Sequence, residues 1–389
     1  MHHTRRLLAS LFLLLLVLVP GLALAQANPP RLLMDMTTGE VLFEEDAGRP
    51  WHPASLTKLM TALLAFEAID TGQLSLSSPV VISANALSAA PSRTNLPVDT
   101  AITLEDALYI LIVQSANDIA IAIGETVAGS EAAFVAMMNQ RAAQLGLTGT
   151  HYVNPHGLHD PRQVTTARDL AIIALNIRVR FPQYDPLFST HAVAYGERQV
   201  EANNELLSGF FGTDGMKTGY VCASGLNIVA TARRNGRWLM AVVLGGASGR
   251  DRGEMAAQLL LSGFGGGYRG TGQTVLDITN HPEIQPVDMR SMICGADAPS
   301  FTEAREAAFP AGLAGQVTYL ADSLSGTTHR IVTLGRQRDV PFPRQRPDWL
   351  PAAVADIIVP SDITPMGDAS APIPLRPSVP LPLPRPAWL

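Results

Sequence analysis

Pro53-Ala54-Ser55-Leu56-Thr57-Lys58 leads into a long apolar run, Leu59 to Ile69. The run predicts a helix, and a spacing of three places Ser55 and Lys58 about one turn apart on one face. A serine hydroxyl is a poor nucleophile until its proton is removed. A lysine can remove that proton only when burial or a second cation pulls its pKa down. Serine and lysine meet at this spacing often by chance, so the reading depends on the rest of the chain.

The rest of the chain is selective in its cations. Of 28 basic residues, only Lys58 and Lys217 are lysine. Lys217 lies in Asp214-Gly215-Met216-Lys217-Thr218-Gly219, and Ser115-Ala116-Asn117 falls between the two lysines. Arginine stays protonated at neutral pH and cannot act as a base, whereas lysine can. Ser-x-x-Lys, Ser-x-Asn and Lys-Thr-Gly therefore occur in order, with lysine used only where the set requires it. Penicillin-binding proteins and class A β-lactamases share this set.

The N-terminus reads as a secretory signal over residues 1–25. Arg5 and Arg6 precede an apolar core, Leu7 to Val19, then Pro20-Gly21 and the small-residue site Ala23-Leu24-Ala25. The core is short for a membrane span, so export to a periplasm is expected, with membrane association only if the leader stays uncleaved. Loss of the two leader arginines lowers the formal net charge from −6 to −8. No basic block exists, which argues against a nucleic-acid partner. The two cysteines, Cys222 and Cys294, fit one disulfide in an oxidising compartment.

At 389 residues the chain has room for two or three domains. Residues 31–46 read as a hairpin turning at Thr37-Thr38-Gly39-Glu40. Thr103 opens a helix with Glu105 and Asp106 in its first turn, and its apolar face breaks before Ser115. Helices are expected over 118–127 and 131–145, and after a Thr166 cap. His151, His156 and His159 lie in a loop shaped by Asn154, Pro155 and Gly157, without regular ligand spacing, so no metal or cofactor is expected. Strands are expected at His191–Tyr195, Asn227–Ala230 and Trp238–Leu244, then a closing helix from Met255 to Phe264. After Gly265-Gly266-Gly267 the composition shifts. Residues 271–340 read as a small, weakly patterned segment. Residues 341–389 hold thirteen prolines and read as an irregular, disordered tail.

From Asp35 to Phe264 the chain resembles the D-alanyl-D-alanine carboxypeptidases, the low-molecular-weight penicillin-binding proteins. The matching stretches are Pro53–Lys58, Gln114–Asp118, Asn154–Leu158, Thr166–Ala171, Asp214–Gly219 and Gly245–Phe264. The resemblance implies an α/β, β-lactamase/transpeptidase-like domain over 28–270: an antiparallel sheet flanked by helices, plus a helical subdomain. It implies a cell-wall stem peptide ending in D-Ala-D-Ala as substrate and β-lactams as covalent inhibitors. Ser55 would be the nucleophile and Lys58 its base. Ser115 would pass a proton to the departing D-alanine, and Asn117 would hold the peptide and Lys58. Lys217 would supply positive potential, and Thr218 would bind the terminal carboxylate beside Gly219. The backbone N–H groups of Ser55 and Tyr220 would form an oxyanion hole, and Arg252 would bind carboxylate.

The chain departs from that family's commoner pattern at Arg93-Thr94-Asn95-Leu96, and its terminal prolines leave no amphipathic C-terminal anchor helix. A class A β-lactamase would need a Glu-x-x-Leu-Asn element between Asn117 and Lys217, and none is present. A D,D-endopeptidase cutting cross-links, and a non-catalytic exported β-lactam-binding scaffold, remain as alternatives.

Overall fold

The computed structural model describes residues 29–309 and 318–337. The expected leader, the Pro-rich tail and the expectation that no anchor helix lies in that tail all fall outside the described residues. In chain order the strands are β1 Arg31–Asp35, β2 Val41–Glu45, β3 Pro79–Val81, β4 Thr100–Thr103, β5 Ala192–Tyr195, β6 Arg198–Glu201, β7 Thr213–Val221, β8 Gly225–Arg234, β9 Arg237–Gly246, β10 Thr328–Arg330 and β11 Thr333–Arg336. Five of them form the main sheet in the order β2-β1-β9-β8-β7. Every neighbouring pair in it is antiparallel.

That sheet is covered on both faces, which explains why its inner strands read as continuous apolar runs. Along β9, Met240, Val242 and Leu244 join one core, while Leu239, Ala241 and Val243 join the other. Strand β1 splits the same way, Leu32 and Met34 against Leu33. The larger core takes in the helices Lys58–Asp70, Asn117–Ala128 and Ala167–Arg180. The smaller core is closed by the helix Gly249–Phe264 through Met255, Ala256, Leu259 and Leu260. The Lys58–Asp70 helix is buried over Lys58 to Ala68. It is apolar all round because protein surrounds it. This is the α/β arrangement expected, a helix-flanked antiparallel sheet with a helical half.

Several elements differ from the sequence reading. The closing helix starts at Gly249, six residues before Met255, because Ser248 caps it by accepting from Asp251 N. Its polar first turn hid that start. Strand β7, which carries Lys217, was not foreseen, since Asp-Gly-Met-Lys-Thr-Gly has little β propensity. The helix from Leu104 passes into a π turn over Ile110–Gln114.

The stretch after residue 270 does not stand apart. Thr271 N donates to Val41 O. Asn280 Nδ2 donates to Asp169 Oδ1 and Thr148 Oγ1, and its Oδ1 accepts from Thr166 Oγ1. The helix Ala298–Glu306 lies on Gly249–Phe264, where Arg305 pairs with Asp251. Farther on, β10 runs parallel to β5, and β11 pairs antiparallel with β4. No single helix among the described residues is long and apolar enough to cross a membrane.

Candidate active site

Ser55 sits in a 3-10 turn, Ala54–Thr57, immediately before the Lys58 helix. Lys58 is fully buried. Its Nζ lies 3.0 Å from Ser55 Oγ, 2.8 Å from Asn117 Oδ1 and 2.7 Å from His156 O. The amide oxygen and the backbone carbonyl can only accept. The orientation of the Asn117 amide is supported by its Nδ2, which donates to Pro91 O at 3.4 Å. A neutral amine has two hydrogens and one lone pair. The two hydrogens serve the two obligate acceptors, so the lone pair faces the Ser55 hydroxyl.

The electrostatics favour that neutral form. Burial lowers the Lys58 pKa well below its ordinary value and Lys217 lowers it further, while Asp118 opposes both. The Asp118 carboxylate is tied to Thr94, whose N and Oγ1 donate to its Oδ2 at 2.9 and 2.6 Å. The departure at Arg93–Leu96 thus has a structural function here. Lys217 is also buried, and burial with Arg252 brings its pKa down to about 7. Its Nζ donates to Thr218 O at 2.9 Å.

Ser115 follows the π turn in left-handed conformation, φ 63° and ψ 33°. Its N donates to Ile110 O, and its buried Oγ has no hydrogen-bond partner among the described residues. A non-glycine residue held there, with an unspent hydroxyl, is the kind of strain found at functional sites. Asn117 N donates to Ser92 O, which fixes the start of the following helix.

Strand β7 closes the opposite wall. Gly219 is required where β7 passes the serine turn, because a Cβ there would fall 2.9 Å from Ser55 N. Ser55, Ser115, Asn117, Thr218, Gly219, Tyr220 and Arg252 line one cleft of about 360 Å³. Lys58 and Lys217 lie buried at its side. Cys222 and Cys294 are joined in a disulfide beyond the cleft, Cα atoms 5.7 Å apart. Of the nine catalytic and substrate-binding residues named from sequence, seven line the cleft and two support it. Sequence reasoning missed the His156 carbonyl, Asp118, Asn203 and Glu205. The first had a signal: Asn154 Oδ1 accepts from His156 N and Gly157 N, a turn that Asn-Pro-His-Gly encodes. The His156 imidazole stays neutral, its pKa lowered to about 3 by burial and by Lys58.

Residues 25–248 match the family model described as D-alanyl-D-alanine carboxypeptidase, peptidase S11. The chain belongs to this family. Among its relatives, the D-alanyl-D-alanine carboxypeptidase DacD of Salmonella typhimurium is 34% identical over 273 residues, 66% of this chain and 70% of that protein. DacC of Escherichia coli is 34% identical over 60% of each. The chain thus spans between 60% and 70% of these two relatives. Penicillin binding protein 6B of Escherichia coli is similar in structure, with 33% identity and a TM-score of 0.57, covering 60% of this chain and 76% of that one. Penicillin-binding protein D2 of Listeria monocytogenes, solved in an ampicillin-bound form, has 28% identity and a TM-score of 0.54, over 61% and 97% of the chains. As a peptidase S11 member the chain places its serine, lysines and asparagine around one cleft, within the matched residues. Arg252 and Cys294 fall after residue 248, beyond the match.

Proposed function

We propose that this chain is an exported serine-type D-alanyl-D-alanine carboxypeptidase acting on peptidoglycan stem peptides and acylated by β-lactams. The observation that carries the reading is the Lys58 amine, buried within hydrogen-bond reach of Ser55, Asn117 and the His156 carbonyl. Lys58 takes the Ser55 proton as Oγ attacks the carbonyl carbon of the penultimate D-alanine. The resulting oxyanion is received by the N–H groups of Ser55 and Tyr220. The C–N bond then breaks, and the departing D-alanine amine takes a proton through Ser115, relayed from Lys58. Water hydrolyses the ester and restores Ser55. Lys217, Thr218 and Arg252 supply donors and positive potential for a substrate carboxylate. No step needs a metal or an organic cofactor.

A β-lactam places an acylating carbonyl and a carboxylate on the same groups, in keeping with the ampicillin-bound relative. Incubation with a diacetyl-L-Lys-D-Ala-D-Ala peptide releases free D-alanine, and fluorescent penicillin labels one residue, Ser55. A Ser55→Ala variant that still labels would remove the assignment, and absence of D-alanine release would leave the endopeptidase and the β-lactam-binding scaffold. Cleavage of cross-linked stem peptides by an endopeptidase action is the second reading, favoured by how Arg252 is partnered.

A further inference from the structure

Arg252 stands in the first turn of the Gly249–Phe264 helix, on the wall of the cleft that holds Ser55 and Thr218. Its side chain is only 4% exposed. Nη2 donates to both carboxylate oxygens of Glu205, each at 2.5 Å, and to Asn203 O at 2.8 Å. Nε is buried and has no hydrogen-bond partner among the described residues.

The surroundings are shaped for this pair. Glu205 opens a short helix whose cap, Asn204, accepts from Leu206 N. That fixes the direction in which the Glu205 side chain leaves the backbone. Gly249 leaves room for the carboxylate, since a Cβ there would fall 2.7 Å from Glu205 Oε1. The carboxylate also lies beside the first turn of a 16-residue helix, whose dipole favours an anion.

An arginine in this cleft is the natural partner of a substrate carboxylate. Here a tethered carboxylate already holds it. A substrate ending in a free carboxylate must displace Glu205 or share Arg252 with it against like-charge repulsion. A substrate whose chain continues as an amide meets no such competitor. Glu205 is 37% exposed, so its head can leave the pair without unfolding the cleft.

We infer that Glu205 is a specificity-determining residue: a built-in carboxylate that competes for Arg252 and narrows the preference for peptides with a free C-terminal carboxylate over those whose chain continues. Cross-linked stem peptides belong to the second class. The inference rests on the proposed acyl-enzyme chemistry at Ser55.

The test compares release of D-alanine from diacetyl-L-Lys-D-Ala-D-Ala with release of D-alaninamide from its C-terminal amide. In Glu205→Gln the acid-to-amide ratio of kcat/KM rises about fivefold or more, mainly through a lower KM for the acid, the scale expected of a partly exposed ion pair. Glu205→Ala moves the ratio the same way, which keeps the test usable if one variant fails to fold. Glu205→Asp, which keeps the charge, stays nearer wild type. A ratio within twofold of wild type in both neutral variants overturns the inference. So does a fall, which would mean that Glu205 orients Arg252 for the substrate. Penicillin labelling of wild type separates the two levels. Labelling with an unmoved ratio overturns only the role of Glu205, whereas no labelling and no product removes the Ser55 chemistry and this inference with it.

Discussion

At the scale of the residue, the site turns on the charge of one amine. Lys58 has two partners that can only accept and one, Ser55, that can donate. Burial and Lys217 hold it toward the form that suits this arrangement. Lys58→Arg keeps a long basic side chain but cannot give up a proton, so penicillin acylation should fall by roughly 10²–10⁴-fold or more while the fold persists. A variant within about tenfold of wild type would assign the proton to another group. Wild-type acylation should also decline as pH drops through the lowered Lys58 pKa, because protonation consumes the lone pair. Replacing Lys217 by glutamine removes one of the two causes of that lowering. The Lys58 pKa then rises and the acid limb of the acylation profile moves to higher pH. The move is partial, since burial is the larger cause. A limb that stays in place, or moves to lower pH, would show that Lys217 does not tune Lys58. The lysines were legible in sequence because the chain uses arginine everywhere else. The third partner of Lys58 was not, because a backbone carbonyl has no residue type to announce it.

At the scale of the element, the serine turn is shaped by a loop a hundred residues away. Gly157 has φ +93°, and a Cβ there would lie 1.9 Å from Ala54 O and 3.0 Å from Ser55 N. Ala54 itself has φ 48°, so a strained residue in the serine turn faces the Gly157 loop directly. Gly157→Ala would push the loop off the turn and draw the His156 carbonyl away from Lys58. A stability loss above about 2 kcal/mol is expected from strain and collision, together with slower acylation. Equal melting temperature and equal labelling rate in that variant would refute the coupling. Sequence reading located this loop from Asn154, Pro155 and Gly157 but not what it touches, since its contacts are long-range. Elements that are long apolar runs, such as β9 and the Lys58 helix, were legible. Strand β7 was not, because its Gly219 serves the close passage over Ser55 rather than strand propensity.

At the scale of the whole molecule, residues 318–337 bind the catalytic half at several points. Tyr319 N donates to Glu254 Oε2, and Leu324 N to Ser208 O. The His329 ring stacks on Tyr109 with centroids 3.6 Å apart, and its Nε2 lies 2.7 Å from Asp106 Oδ1. Val332 N donates to the other Asp106 oxygen. Asp106 and Tyr109 belong to the helix whose π turn ends at Ser115, so this stretch steadies the element that presents the Ser115 hydroxyl. The sequence concealed it: Val332 and Leu334 are exposed, and its strands are short. Two truncations distinguish the role of this stretch from that of the chain beyond Gln345. A chain ended after Gln345 loses proline-rich sequence that carries none of the motifs, and should acylate within about tenfold of wild type. A chain ended after Phe309 loses β10, β11 and the Asp106 contacts. At about 1 kcal/mol for each hydrogen bond and more for charged partners, it should melt at least about 5 °C lower and acylate more slowly. If the shorter chain melted within about 2 °C of wild type, residues 318–337 would not support the fold. If the longer one lost more than tenfold at unchanged stability, residues beyond Gln345 would contribute to the cleft.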